Sequence, residues 1–133
     1  MKEFVGLLQN CALSVCPYTD ATQSGVIMTS YSLCKPVAAT NVGGLGEMVE
    51  EGKTGTLVPP KNVAALSDAI IALLKDEAKR EEMADNIRNE YFVGDKSWKV
   101  IAEKYIEFYK KILRAHYLQH MPYLLFKVFL LVE

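Results

Sequence analysis

Cysteine is scarce in this chain: Cys11, Cys16 and Cys34 are the only three, and no CxxC pair occurs among them. An odd, unpaired set argues against a disulfide framework and against a structural zinc site, and makes a reducing cytoplasm the expected setting. Tryptophan occurs once and histidine twice. An excess of either charge is missing as well. Fifteen basic residues stand against sixteen acidic ones, a formal net charge of -1, so composition supplies no general pull toward nucleic acid or an anionic surface, and any partner must be recognised locally. Apolar runs are short: the one before Asn10 does not reach the length of a signal-peptide core, and none approaches the roughly 18 residues of a bilayer-spanning helix. No GxGxxG or Walker pattern opens a strand. What remains is an ordinary globular composition, 50% hydrophobic and 23% charged over 133 residues, sized for about one domain.

The apolar pattern sets out an α/β order. Phe4, Val5, Leu7 and Leu8 suit a short first helix, and the run from Ala12 to Cys16, stopped by Pro17, reads as a buried strand. Val37 to Thr40, ended by Gly43 and Gly44, and Gly55 to Val58, closed by Pro59 and Pro60, read as two more strands. Helix-sized intervals between them predict parallel pairing through crossovers. Propensity leaves residues 24–33 open between helix and strand, and the need for a crossover favours a helix. From Asn62, a candidate N-cap, Val63, Leu66, Ile70, Leu73 and Leu74 recur at helical spacing. Met83, Ile87 and Tyr91 form the stripe of a mostly charged helix over about 77–90. Ser97 is a candidate cap for a third, with Trp98, Ile101, Tyr105, Phe108 and Ile112 on one face.

The block from Pro36 to Glu47, PVAATNVGGLGE, and the block from Glu51 to Pro60, EGKTGTLVPP, carry the strongest local signal. Here the sequence resembles the family 4 (group 1) glycosyltransferases, whose donor domain reads close to GKPVVATDVGGLPEVVEDGKTGLLVPP. Val15 to Tyr18 is similar to the family's strand that ends just before the donor site, and Ser97-Trp98 with the following helix to its C-terminal helix. The likeness covers roughly residues 4 to 113. It implies a partial Rossmann-like parallel sheet with flanking helices, from the second domain of a GT-B enzyme truncated at its N-terminal side. Residues 1–115 would form that partial nucleotide-sugar-binding domain and residues 116–133 an apolar tail foreign to the family. The acceptor-binding domain and the opening strands, where the family keeps an arginine and a lysine for the donor diphosphate, would be missing.

The resemblance implies a site at the turn made by Thr22, Gln23, Ser24, Gly25 and Val26, where amides at a helix start and the helix dipole hold a diphosphate. Without the resemblance, such a turn reads more simply as a helix cap. The family's two glutamates, eight positions apart, fall at Ala21 and Thr29, so both carboxylates are missing. Thr29 offers a ribose only a hydroxyl, which cannot accept two charge-assisted bonds as a carboxylate does. Gly43 and Gly44 read first as a tight turn. Glu47 reads as a residue favouring a helix N-terminus, with a sugar contact as the alternative. Gly46 stands where the family has proline, which loosens that helix start.

Other residues carry weaker signals. His116 and His120 share a helix face, but with no third ligand apparent they are not read as a metal site. Cys16 reads as a buried apolar residue. Lys110, Lys111 and Arg114 read as a solvated helix face, with a membrane-surface role as the alternative.

The functional expectation is the C-terminal part of a retaining glycosyltransferase. It would transfer a hexosyl unit from a UDP- or GDP-sugar to a polysaccharide or glycolipid acceptor of a bacterial surface, and would be inactive as this fragment alone. No catalytic residue, metal or tightly bound cofactor is expected within it. The alternative is a truncated or degenerate module that keeps part of the fold without turnover. Expected partners are the nucleotide-sugar donor and the missing acceptor domain, with no nucleic acid. The setting is cytoplasmic, with peripheral contact at the inner membrane face as an option, and the exposed sheet edge or residues 123–132 would mediate self-association.

Overall fold

A computed structural model of the chain describes the backbone of residues 2–120 and the side chains of residues 3–115. The chain divides at Lys96/Ser97 into two compact units. In the first, α1 (Lys2–Asn10), β1 (Ser14–Cys16), α2 (Gly25–Ser32), β2 (Val37–Thr40), α3 (Leu45–Met48) and β3 (Gly55–Val58) alternate before α4 (Val63–Lys75) and α5 (Glu77–Arg88). A π-helical turn, Asn89–Val93, follows α5. The second unit carries α6 (Trp98–His120).

Both strand pairs are parallel, in the order β1-β2-β3. Val15 lies opposite Ala38, and Ala38 opposite Thr56. Because side chains alternate across a strand, the fully buried β2 serves two cores. Val37 and Ala39 join Cys16, Ile27, Tyr31, Leu45 and Ile87, while Ala38 joins Leu13, Leu73 and Met83. The sheet is close-set where glycine permits it: a Cβ on Gly55 would stand 2.2 Å from the Val37 carbonyl oxygen. Polar groups inside are paired. Ser30 Oγ donates to Ser14 Oγ at 2.7 Å, and the hydroxyls of Tyr31 and Thr54 share a 2.8 Å bond.

The open segment at 24–33 is resolved as a helix. Its intrinsic propensity is poor, but Ser24 caps it, with Oγ accepting from the Ile27 amide at 3.4 Å, and Ile27 and Tyr31 are wholly buried. Tertiary burial outweighs propensity here. Asn62 caps α4 through its Oδ1, which accepts from the Ala65 amide at 3.0 Å. The helical spacing read in α4 is present, and two of its apolar residues face outward: Val63 is 81% exposed and Leu74 is also exposed. Val63 is the first helical residue, and Leu74 sits beside the buried Leu73 on a turn that has only one covered side. Ser97 does cap α6, its Oγ accepting from the Val100 amide at 3.3 Å. Expectations placed on residues 121–133, and on the side chains of His116 and His120, fall outside the described residues.

The C-terminus of α2 ends in a Schellman motif. The Cys34 amide donates to the Tyr31 carbonyl at 2.9 Å and the Lys35 amide to the Ser30 carbonyl at 2.9 Å. That geometry puts Cys34 at φ 53, in the left-handed region where a side chain costs energy and glycine does not. Cys34→Gly is therefore expected to raise stability by about 0.5–1 kcal/mol, the relief of strain outweighing the added freedom of the unfolded chain. Urea unfolding checks this, and an unchanged or lower midpoint would contradict it.

Candidate functional site

Parallel strands deliver their carboxyl ends to one edge of the sheet, and in open α/β folds that edge is where ligands sit. Here β1 ends at Cys16 and β2 at Thr40. Thr40 Oγ1 donates to the Tyr18 carbonyl at 2.5 Å, tying the loop after β1 to the end of β2. The turn after β2 then presses into that loop. A Cβ on Gly43, whose φ is +48, would stand 1.9 Å from the Ala21 carbonyl oxygen, and one on Gly44 would stand 2.2 Å from that of Thr22. Both are contacts with backbone, which cannot move aside. Gly43 meets the expectation of a positive φ; Gly44, at φ -79, is required by close approach alone.

The result is a fixed start for α2. Thr22 and Gln23 are exposed, Ser24 is buried as the cap, and Val26 leans into the core. Tyr18 Oη lies 3.3 Å from Ser24 Oγ, and the Ser24 amide donates to Met48 Sδ at 3.4 Å. With the Ser24 amide directed at sulfur and the Ile27 amide at the cap, the Gly25 and Val26 amides have no protein acceptor among the described residues. They are the unsatisfied donors of a helix N-terminus, at its positive end. Gly25 is exposed, and a Cβ there would meet nothing within 4 Å. The turn itself brings no cationic side chain.

Thr29 and Glu47 are placed differently. Thr29 Oγ1 donates to the Gly25 carbonyl at 2.7 Å, so its hydroxyl proton is committed within α2. Glu47 is exposed in the first turn of α3, a four-residue helix, where the structural reading suffices. A Cβ on Gly46 would lie 2.7 Å from Asn41 Oδ1, the tip of an exposed side chain that can swing aside, so crowding does not require glycine there. Met48 and Tyr18 were not singled out by sequence reasoning. A methionine in a one-turn helix carries no local sign that its sulfur will meet an amide 24 positions earlier. Cys16 is buried, and burial pushes its thiol pKa up, which makes it inert.

A second polar constellation was also unforeseen. Lys53 Nζ bonds Glu50 at 2.9 Å and Glu90 at 2.5 Å, and Lys96 Nζ bonds the same two carboxylates at 2.5 and 3.1 Å. Lys96 also stands 5.3 Å from the Tyr91 ring centroid, and that ring packs on Tyr31 at 5.0 Å. A cleft of about 500 Å³ lies beside these charges, lined by Lys53, Asn86, Glu90 and Lys96. It is separate from the α2 turn, and its charges satisfy one another, so the arrangement ties the β3 entry turn to the segment after α5. Among the described residues no His, Cys, Asp and Glu cluster is placed to hold a metal.

Hydrogen bonds from Lys53 and then Lys96 hold the Glu50 carboxyl at about 2, below its ordinary 4.5. A depressed carboxylate contributes stability that is complete above the ordinary value and lost as pH falls toward the folded one. Glu50→Gln should therefore lower stability at pH 6, by no more than about 1 kcal/mol because the pair is solvent-screened, and cost progressively less as pH falls from 4.5 toward 2. Urea unfolding at pH 6 and pH 3 reads this; an equal loss at both would contradict it.

Known proteins resemble this chain in sequence and fold. The model of the family described as glycosyl transferases group 1 matches residues 1–90. The chain is 30% identical over 111 residues to the D-inositol 3-phosphate glycosyltransferase of Corynebacterium urealyticum, covering 84% of this chain and 26% of that one. It is 38% identical over 61 residues to the alpha-D-kanosaminyltransferase of Streptomyces kanamyceticus, covering 46% of this chain and 16% of that one. Among solved structures, sucrose-phosphate synthase from Thermosynechococcus elongatus superposes with a TM-score of 0.68 at 28% identity, over 85% of this chain and 28% of its own. HepE of Anabaena in complex with UDP-glucose gives 0.64 at 25% identity, over 79% of this chain and 29% of its own. The chain thus spans about a quarter of the length of such proteins. Its three-stranded parallel sheet with flanking helices is part of a GT-B fold, and the chain belongs to the group 1 glycosyltransferases.

Proposed function

We propose that this chain supplies the donor diphosphate site of a glycosyltransferase that moves a hexosyl unit from a nucleotide-diphosphate sugar to a polysaccharide or glycolipid acceptor. The observation that carries the reading is the start of α2, where the Gly25 and Val26 amides are free at the carboxyl edge of the sheet and Gly25 leaves open space before them. Thr22 and Gln23 flank that space, and Ser24 holds the turn in shape. Charge on a diphosphate grows as the glycosidic bond to it breaks, so preformed amides and the α2 dipole stabilise the leaving group more than the intact donor. UDP is the favoured nucleotide, because HepE, which shares the fold at 25% identity, was solved with UDP-glucose. The acceptor site and the cations that complete the donor site belong to the remaining length that the relatives have.

A second reading has its own support. Ala21 carries no acceptor and Thr29 commits its proton to the Gly25 carbonyl, so no carboxylate on this helix grips a ribose. On that reading the chain is a module that holds the fold with weakened donor binding and no turnover.

A melt with UDP, GDP and ADP distinguishes them. At about a hundred times its dissociation constant a bound nucleotide adds roughly 2.7 kcal/mol of stability. Selective stabilisation by UDP is expected, and no shift with any of the three would favour the second reading. Gly25→Ala sharpens the result. It is expected to leave the unliganded melt unchanged or raise it by up to about 1 kcal/mol, since alanine suits a helix, while removing most of the UDP-induced shift. An undiminished shift would move the site elsewhere.

A further inference from the structure

Two of the three cysteines meet at the amino edge of the sheet, the end opposite the start of α2. Cys11 follows α1 and Cys34 follows α2, and each stands three residues before its strand. Ser14 opens β1 and Val37 opens β2, and these two lie opposite one another in the parallel pair. The Ser14 amide donates to the Pro36 carbonyl at 2.9 Å, which holds the two incoming segments side by side before the strands begin. The spacing of such neighbours, about 4.8 Å, falls within the Cα separation of about 4.4–6.8 Å that a disulfide needs. Both cysteines line one cavity of about 200 Å³, with Lys35, Glu77, Arg80 and Glu81 also in its wall. Both are free and half-buried, whereas Cys16 is fully buried in the core. Their backbones are held in place: Cys11 Sγ donates to the Leu8 carbonyl at 3.1 Å, and the Schellman motif fixes Cys34. That motif does not call for a thiol, since glycine adopts the left-handed φ of Cys34 at less cost.

We propose that Cys11 and Cys34 form a reversible thiol pair, oxidised to an intramolecular disulfide by exchange with a small-molecule disulfide such as oxidised glutathione. One cysteine, as its thiolate, attacks a sulfur of the small disulfide, forms a mixed disulfide and expels one glutathione thiolate. The second thiolate then attacks the protein sulfur of that mixed disulfide and expels the other glutathione. Each leaving thiolate takes up a proton, so the two protein thiols are oxidised to one disulfide while the small disulfide is reduced to two thiols. The cavity is open to such a reagent, and its two cations and two carboxylates balance, so net charge does not bar an anionic one. The bridge closes residues 11–34 into a loop that contains β1 and α2, and ties the carboxyl end of α2 to the segment before β1. It is a switch rather than a framework, since a disulfide formed by exchange is reversed when the thiol pool is reduced. It does not depend on what the other end of α2 binds.

The test incubates the reduced full chain with oxidised glutathione, blocks the remaining thiols with N-ethylmaleimide and reads the products by mass spectrometry. Chymotryptic cleavage at Leu13, Tyr18 and Tyr31 separates the three cysteines. The expected product is one chain lacking two hydrogens, with the Cys11 and Cys34 peptides linked, no glutathione retained and Cys16 blocked only after unfolding. If the fold brings the pair together, the ratio of bridge to mixed disulfide should be on the order of tenfold or more higher in buffer than in urea. Cys34→Ser is expected to keep glutathione on Cys11, because the thiol that would expel it is gone. The urea comparison uses the unaltered chain, which keeps the test decisive if that variant folds poorly. Failure of either thiol to react, a bridge to Cys16 or between chains, or glutathione retained on both Cys11 and Cys34 would overturn the proposal. So would equal bridging in buffer and urea, which would show that the fold contributes nothing to the pairing.

Discussion

Two glycines after β2 lie directly against two carbonyls of the loop after β1, and the rest of the candidate site is built outward from that contact. Gly43 meets Ala21 and Gly44 meets Thr22 at distances no side chain tolerates. Backbone against backbone is the least adjustable packing a protein has, because neither side can choose another rotamer. It sets where the loop stops and therefore where α2 starts. Ser24 and the amides of Gly25 and Val26 take their positions from it.

Around this contact the polar groups fall into two separate tasks. At the carboxyl edge, Thr40, Tyr18, Ser24 and Met48 exchange weak or neutral bonds that shape a surface and leave donors unused. At the other constellation, Glu50, Lys53, Glu90 and Lys96 leave no charge unspent and draw segments distant in sequence into one body. Unused donors suit a ligand, and mutually satisfied charges suit architecture. A cleft of about 500 Å³ lies beside the satisfied charges, so cavity volume and unused donors point to different places.

Much of this was legible in the residues themselves. Gly55 to Val58 is a strand as its apolar run and closing prolines imply, Asn62 and Ser97 cap the helices they precede, and the glycine pair marks the turn. These features are local: each is decided within a few residues. The π-helical turn after α5 was not legible, nor was the Lys96 to Glu50 bond, which joins positions 46 apart and depends on where α5 ends. Spacing gave α4 its period but not its coverage: Val63 and Leu74 share the period and are exposed. In α6 the spacing identified a face, and its width emerges only from the exposures of its residues.

The account turns on the start of α2, and amide resonances report on it individually. Titration of the 15N-labelled chain with UDP, followed by proton-nitrogen correlation spectra, is expected to move the Gly25 and Val26 amides first and furthest, leaving the amides beside Glu50, Lys53 and Lys96 in place. Perturbation centred on that ion-paired cleft, with Gly25 and Val26 unmoved at saturation, would contradict the assignment of the diphosphate to this helix.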